Sequence, residues 1–563
     1  MSQDAHSWVA AAFPAPLHDT AQARIDYWAE QNLAAPVLWR MLAGLAKEAG
    51  AYDAATAALE EGLRRHPDDM GTLADLAAIL TATGQDDAAK SVADGLPTGH
   101  IARAEPLLAA LEAGTTTGYG EITAILSART DWGAQHDRLV KAMRLNGDSR
   151  EAAQFAGAWM NRHGAQAVPM VRAGEALLEF GMNQQAHAML FPVWQAYEAD
   201  LAPMIGPCRP PQVSPDAVAA RIEASLARPA NPPYDLPGQD LVADRASVLF
   251  VGAATNGGRE VFANDLAAHF QATADAAGGR LELWLDDTMG KPAEVRASDA
   301  FVASRVDALA ERLDAGRPDI LILDCSWSPC QRGLTRDLVA GWKARFGFRL
   351  VCLFRDALQD CVSLLEYWAE AADGLLVFDP HSPAMKSLAG KCFAIPVPAL
   401  HAPFAPGGND QGLLFCGGLA QSHRVTLMAA LACQPIGLRL LIGAERSRRT
   451  ATPADYAGEL ARAKASLNVA THHLSERLVT GRVWESIACG AVLLEQDKSG
   501  AESFFTPWRH YLPWSHLGDI VAFAQVLEAR DDLRRALRDE ALSFARQHYN
   551  SGRVWRAILG AAG

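Results

Sequence analysis

What the chain has too little of narrows its uses first. Its 563 residues carry 51 Lys and Arg against 65 Asp and Glu, a formal charge of −14. Nucleic acids are held by clustered cations, so a general nucleic-acid binder is excluded, while a local basic pocket is not. No run of about 18 uncharged apolar residues occurs, so no transmembrane helix is expected. The opening MSQDAHSWVAAAFPAP lacks a basic stretch followed by a long apolar one, and no secretory signal is expected. Cysteine is missing from the front of the chain: all nine lie at Cys208 or later, and none forms a CxxC pair. Cys352 and Cys416 sit inside apolar, strand-like runs. Buried reduced thiols fit this pattern better than a disulfide framework or a zinc site, and they point to the cytoplasm.

What is present divides in two. The length implies several domains, and the character changes near residue 245. Before it, Ala and Leu dominate. Leu38 to Asp69 reads LWRMLAGLAKEAGAYDAATAALEEGLRRHPDD, with Trp39, Leu42, Ala43 and Ala46 on one helical face. Gly50 ends that helix, and Ala55 and Leu59 continue the packed face of the next. Gly84 and Ala89 follow Gly50 and Ala55 at an interval of 34 residues. A third unit, MVRAGEALLEFGMNQQAHAML, has small residues at Gly174, Gly181 and Ala186; the stretch from about 100 to 165 is degenerate. These units resemble tetratricopeptide repeats, whose small residues let paired helices approach closely. The resemblance implies a surface that holds a protein partner. Two Pro-rich runs, RPPQVSPDAV and RPANPPYDLPGQD, read as linker around a short helix.

From Ala246 the pattern is strand, turn, helix, repeated: SVLFV, LELWLDD, DILILDCSW, FRLVCLFRDA, GLLVFDP. Near-continuous apolar strands separated by helices mean a parallel sheet covered on both faces, with ligands at the carboxyl ends of its strands. That places Gly252 to Arg259, Asp324 to Trp327 and Arg355–Asp356 along one cleft edge. The pattern restarts after PALHAPFAPGGNDQ with GLLFCGG, then RLLIGA, SLNVAT and AVLLEQ. The loop Gly252 to Arg259 has P-loop glycine spacing, but Gly258 and Arg259 stand where Lys and Ser/Thr are needed, so an NTPase is not expected.

The stretch Lys464 to Gln496, KASLNVATHHLSERLVTGRVWESIACGAVLLEQ, carries the chemistry. Thr480 and Gly481 open a helix bearing Arg482 and Glu485. A helix N-terminus offers unpaired N–H groups and a positive dipole end to a phosphate. Arg482 adds a permanent cation, and Glu485 can accept from a ribose diol. The plain alternative is an ordinary i,i+3 ion pair between the two. The Gly417–Gly418 turn, with Gln421, His423 and Arg424, faces the same cleft. His472 and His473 read as loop histidines.

TGRVWESIACGAVLLEQ, with GAESFF and HYNSGRVWRAIL, resembles the C-terminal lobe of GT-B glycosyltransferases, nearest to the CgeB-like, family 1-type group. The resemblance spans roughly residues 246 to 563 and implies a nucleotide-sugar donor on the second lobe, an acceptor at the first, and no metal or other cofactor. The two Glu seven residues apart of the retaining pattern are absent, so no stereochemical outcome carries over.

The expected fold is therefore α plus α/β: a helical-repeat domain over 1–235, a linker over 236–245, and two Rossmann-like lobes over 246–400 and 409–545 with a C-terminal helix over 546–563. Donor binding is expected at Thr480, Gly481, Arg482, Glu485, Gly417, Gly418 and Arg424. A carboxylate at a cleft mouth is the expected base, Asp356 first, with Asp324 and Glu260 as alternatives. The expected activity is sugar transfer to a protein brought by the repeats. Flagellin is an acceptor by analogy with bacterial enzymes of this arrangement. A glycan- or lipid-linked-oligosaccharide-extending enzyme and a non-catalytic scaffold remain open.

Overall fold

The structure, a computed structural model, describes residues 2–563 except 31–34, 68, 95–103, 115–117, 128–132, 164–166, 240–245, 257–261, 264, 289–294, 296–297, 326–332, 356, 358–360, 420, 443–452 and 472–475. Two compact units emerge: residues 1–146 with 288–309, and 147–287 with 310–563.

The first unit is helical. Helices Ala35–Glu48 and Tyr52–Arg65 bury Trp39, Leu42, Ala46, Ala55 and Leu59 together. A methyl group at Gly62 would come within 2.9 Å of the Trp39 Cβ, which is why a small residue stands there. Helix Met70–Ala82 starts on Asp69, whose carboxylate accepts from the Thr72 N–H at 2.8 Å.

Turn glycines Gly50, Gly84, Gly114, Gly147 and Gly181 all have positive φ, between 70° and 90°, at intervals of 34, 30, 33 and 34 residues. At Gly50, Gly84 and Gly181 the next N–H closes the same six-residue ring, as in Met182 N to Leu177 O at 2.8 Å. That is the helix-ending geometry which favours glycine. The helix-and-turn spacing thus continues through the stretch that the sequence left degenerate.

The second unit contains helices Ser149–His163, Ala167–Glu179, Asn183–Ala196, Glu198–Ile205 and Pro215–Leu226 as well as both lobes. The boundary between the two units thus falls at residue 146, within the helical region expected over 1–235. Val171, Leu190 and Trp194 share one core with Leu427, Met428 and Leu431 of the second lobe. The helices continue an apolar surface that the lobe cannot cover alone.

The first lobe is a parallel sheet of β1 (Ser247–Ala253), β2 (Arg280–Asp286), β3 (Ile320–Asp324), β4 (Arg349–Phe354), β5 (Gly374–Val377) and β6 (Cys392–Ala394), ordered β2-β1-β3-β4-β5-β6. The second has β7 (Gln411–Cys416), β8 (Arg439–Leu441), β9 (Ala463–Leu467), β10 (Val492–Gln496) and β11 (Leu512–Trp514), ordered β8-β7-β9-β10-β11 and also parallel. The same winding occurs twice, as expected. β3 is buried at every position, as a strand covered on both faces must be.

Helix Asp531–His548 lies on the second lobe, while Ser551–Gly560 returns to pack on helix Asp265–Ala277 of the first. The Pro-rich run is no loose linker in its described part. Arg509 Nη1 donates to the carbonyls of Leu226 and Arg228 at 2.7 and 2.6 Å, Asn231 N–H to Thr506 Oγ1 at 2.8 Å, and Tyr234 N–H to the Tyr549 hydroxyl at 2.8 Å. Proline removes donors but keeps carbonyls, so an extended run of this kind is held well by a cation.

Candidate functional site

In the second lobe β7 and β9 are neighbours, and the chain winds away from them in opposite directions. The crevice beyond the carboxyl ends of such a strand pair is where open α/β sheets bind ligands. Gly417 follows β7, and Asn468 follows β9. Arg482, on helix Gly481–Ala488, spans them: its Nη1 donates to Asn468 Oδ1 at 3.0 Å, while a methyl at Gly417 would stand 2.7 Å from its Nη2. Gly417 also has φ +154°. Gly417→Ala should push the guanidinium aside and weaken the binding of an anion such as inorganic phosphate about tenfold, or about 1.4 kcal/mol. Calorimetric titration against the parent protein measures this.

Arg424 lies beside Arg482. Its Nη2 donates to the carbonyls of Val469 and Thr471 at 3.2 and 3.1 Å. Burial, then the positive charge of Arg482, brings its pKa down to about 10, so it stays charged at neutral pH. Neither arginine makes an ion pair among the described residues, and the buried Arg424 Nε has no partner there. Two neighbouring cations facing uncharged oxygens form a site short of one anion.

The i,i+3 alternative does not hold among the described residues. Arg482 turns to Asn468, and Glu485 accepts from the Tyr456 hydroxyl at 2.9 Å. Thr480 precedes the helix without capping it; its hydroxyl donates to Asn468 Oδ1 at 3.4 Å. Gly418 is exposed at the turn, and His423 is buried with its Nε2 3.1 Å from the Thr471 carbonyl.

A crevice of about 200 Å³ separates the lobes. Leu266, His269, Arg355 and Phe378 line it from the first lobe, and Thr480, Gly481 and Glu485 from the second. The structure gives Asp324 a different part from the expected base. It is 1% exposed, and its Oδ2 accepts from Arg355 Nη2 at 2.6 Å. Asp324 thus holds a guanidinium at the crevice wall, and Arg355 presents the charge. Asp356 and Glu260 lie outside the described residues, as do Gly258, Arg259, Trp327, His472 and His473.

His269, which sequence reasoning missed, is the basic nitrogen that the crevice does present. Its Nδ1 lies 2.7 Å from His401 Nε2, and His401 Nδ1 faces the Ala402 carbonyl. A carbonyl can only accept, so His401 carries its proton on Nδ1 and offers a lone pair at Nε2. His269 then donates from Nδ1 and keeps the lone pair on Nε2. Burial first, then the neighbouring His401 and the Arg355 cation, brings its pKa down to about 3. It is neutral throughout the physiological range. His269 sits inside the helical run EVFANDLAAHFQATADA, where nothing in the spacing marks it. Asn468 left a clearer trace, as an amide at the end of an apolar strand run.

A second compartment of about 330 Å³ adjoins Ala357 and is lined by Asp379, His381, Glu476, Arg477 and Lys498. Burial pushes the Asp379 carboxyl up to about 6. Among the described residues no group of three His, Cys, Asp or Glu could hold a metal ion, and no helix is long and apolar enough to cross a membrane.

Residues 424–560 match a family described as glycosyl transferase-like. No curated protein matches the chain. Among solved structures, Anabaena HepE in complex with UDP and glucose is similar at 10% identity and a TM-score of 0.38, covering 56% of this chain and 98% of its own. A Thermobaculum terrenum O-GlcNAc transferase mutant is similar at 14% identity over 93% of this chain and 98% of its own, with a TM-score of 0.33. A Rickettsia africae glycosyltransferase is similar at 10% identity over 56% of this chain and 97% of its own, with a TM-score of 0.37. At these scores none of the three fixes an activity or a substrate for this chain.

Proposed function

We propose that the chain is a GT-B glycosyltransferase, which takes a sugar from a nucleotide-sugar donor on its second lobe and passes it to a hydroxyl acceptor entering at the first. The observation that carries this is the pair Arg482 and Arg424, without a carboxylate partner among the described residues, beside the N-terminus of helix Gly481–Ala488. The match over residues 424–560 covers those same elements.

The reaction asks three things of these groups. The acceptor hydroxyl gives its proton to His269 Nε2. Its oxygen bonds to the anomeric carbon of the sugar, whose bond to the donor phosphate oxygen breaks. The electron pair of that bond leaves on the phosphate, where Arg482, Arg424 and the helix dipole take up the charge. With that charge supplied by guanidinium groups, the proposal includes no metal ion, and EDTA should leave turnover unchanged. The acceptor is proposed to be a protein held by the helical region, because helix-pair arrays present extended binding faces.

Thermal melting with a panel of nucleotide sugars and their nucleotides tests the donor site, since a ligand that binds only the native state raises its melting temperature. One nucleotide class should stabilise the protein. In Arg482→Ala, affinity for it should drop about 30-fold or more, the cost of truncating one partner of a buried charge pair. The same shift in both proteins would rule out Arg482 as a donor ligand, and no shift with any nucleotide would remove the donor site altogether.

A further inference from the structure

We propose that Asn468 is a positioning residue: it aims the Arg482 guanidinium at the donor phosphate, and it is itself aimed by Glu495 on the neighbouring strand. This rests on the reading of Arg482 as a phosphate ligand.

Asn468 is 0% exposed. A side-chain amide offers an acceptor on one side and donors on the other, and its neighbours decide which way it faces. Arg482 can only donate, so Oδ1 must face it, at 3.0 Å, with the Thr480 hydroxyl donating to the same oxygen. Nδ2 is thereby turned to Glu495 Oε2, at 2.8 Å. The backbone is held as well: its N–H donates to the Leu494 carbonyl at 2.9 Å, and its carbonyl accepts from Trp514 Nε1 at 3.0 Å. Every polar group of Asn468 has a partner, and no rotation is left to it.

An amide oxygen at this place does what a carboxylate cannot. It fixes the direction of the guanidinium without cancelling its charge, so Arg482 keeps its full attraction for an anion. An aspartate would hold Arg482 more tightly and neutralise it.

Glu495 lies on the adjacent strand β10 and is also 0% exposed. The charged and titratable groups around it are Arg482, Glu502, Arg477 and Tyr511, with Asn468 hydrogen-bonded to Oε2 and Ser499 close by. Arg482 and the hydrogen bonds favour the anion, while burial and Glu502 oppose it. Burial is the largest effect and pushes the carboxyl up to about 8. The acid form still accepts from Asn468 through Oε2. The anion would set a buried negative charge behind Arg482, which competes for that guanidinium and repels an incoming phosphate. Nucleotide affinity should therefore fall as the pH rises through about 8.

Calorimetric titration of the full chain with UDP, GDP and CMP at pH 7 and pH 9 tests this, with melting curves to confirm that each variant is folded. The nucleotide that binds the parent protein should bind at least tenfold more weakly to Asn468→Ala, and more weakly still to the nearly isosteric Asn468→Asp. Glu495→Gln, whose amide oxygen can also accept from Nδ2, should keep parental affinity within twofold at pH 7 and lose the weakening at pH 9. Parental affinity in Asn468→Asp overturns the proposal, and so does an unchanged pH 9 loss in Glu495→Gln. If Asn468→Ala does not fold, Asn468→Asp carries the comparison. Arg482→Ala separates the two readings. If it binds nucleotide like the parent, the donor site itself fails; if it loses binding while Asn468→Asp does not, only the positioning role fails.

Discussion

A chain that starts at Ala246 should lose its cooperative unfolding transition, although the composition changes sharply there. Such a cut removes Val171, Leu178, Leu190, Val193, Trp194, Leu201, Ile205, Val218 and Ile222, all buried in the core of the second lobe. Burying one such side chain is worth about 1.5–3 kcal/mol. Nine of them outweigh the roughly 5–15 kcal/mol by which a whole domain is stable. The cut also bares Leu427, Met428 and Leu431 on helix Ser422–Leu431. Gly174 shows how close the packing is, since a methyl there would stand 2.5 Å from a Leu190 Cδ. Urea titration followed by circular dichroism measures the effect. A single sharp transition in the truncated chain, with the midpoint of the full protein, would show that the shared core is dispensable.

His269→Gln should lower kcat by about 10²- to 10⁴-fold, the range for losing a general base, with donor affinity unchanged. Glutamine keeps a hydrogen-bond donor toward His401 but has no nitrogen lone pair for a proton. The pH profile distinguishes this base from an ordinary histidine. An exposed imidazole, with a pKa of about 6.5, protonates and fails below that pH. Burial holds His269 at about 3, so kcat/KM should stay level between pH 7.5 and pH 5 as far as this base is concerned. Stability moves the other way. The unfolded chain takes a proton at about 6.5 that the folded one refuses, so stability falls as the pH drops below that value and continues to fall toward 3. A tenfold loss of kcat/KM per pH unit below 6.5 that His269→Gln abolishes would show that the histidine is not held neutral.

Much of the site was legible because local rules fix it. Glycine at a strand end, Thr480–Gly481 before a helix, and an arginine with a glutamate one turn later are signals within a few residues of each other. The strand runs were legible for the same reason, since a strand covered on both faces must be apolar throughout. What was not legible depends on partners far away in the chain. Glu485 looks like the mate of Arg482 until Tyr456 takes it and Asn468 takes the arginine. Asp324 looks like a cleft carboxylate until Arg355 covers it. His269 has its tautomer set only through His401, 132 residues away. That helices 167–205 pack on the second lobe was not legible either, because amphipathic periodicity shows that a helix has an apolar face, but not what covers it.

Helix Glu198–Ile205 ends against the second lobe: Arg477 donates to the Pro203 carbonyl at 3.0 Å, and Gln496, next to Glu495 in sequence, donates to that of Met204. Together with the shared core, these bonds leave no slack between helices 167–205 and the strand ends of that lobe. Anything seated on those helices is offered to the crevice at a set spacing, like work clamped to the bed of a machine. For the protein acceptor proposed above, choice among several hydroxyls would then follow a ruler built into the fold, and not the length of a tether.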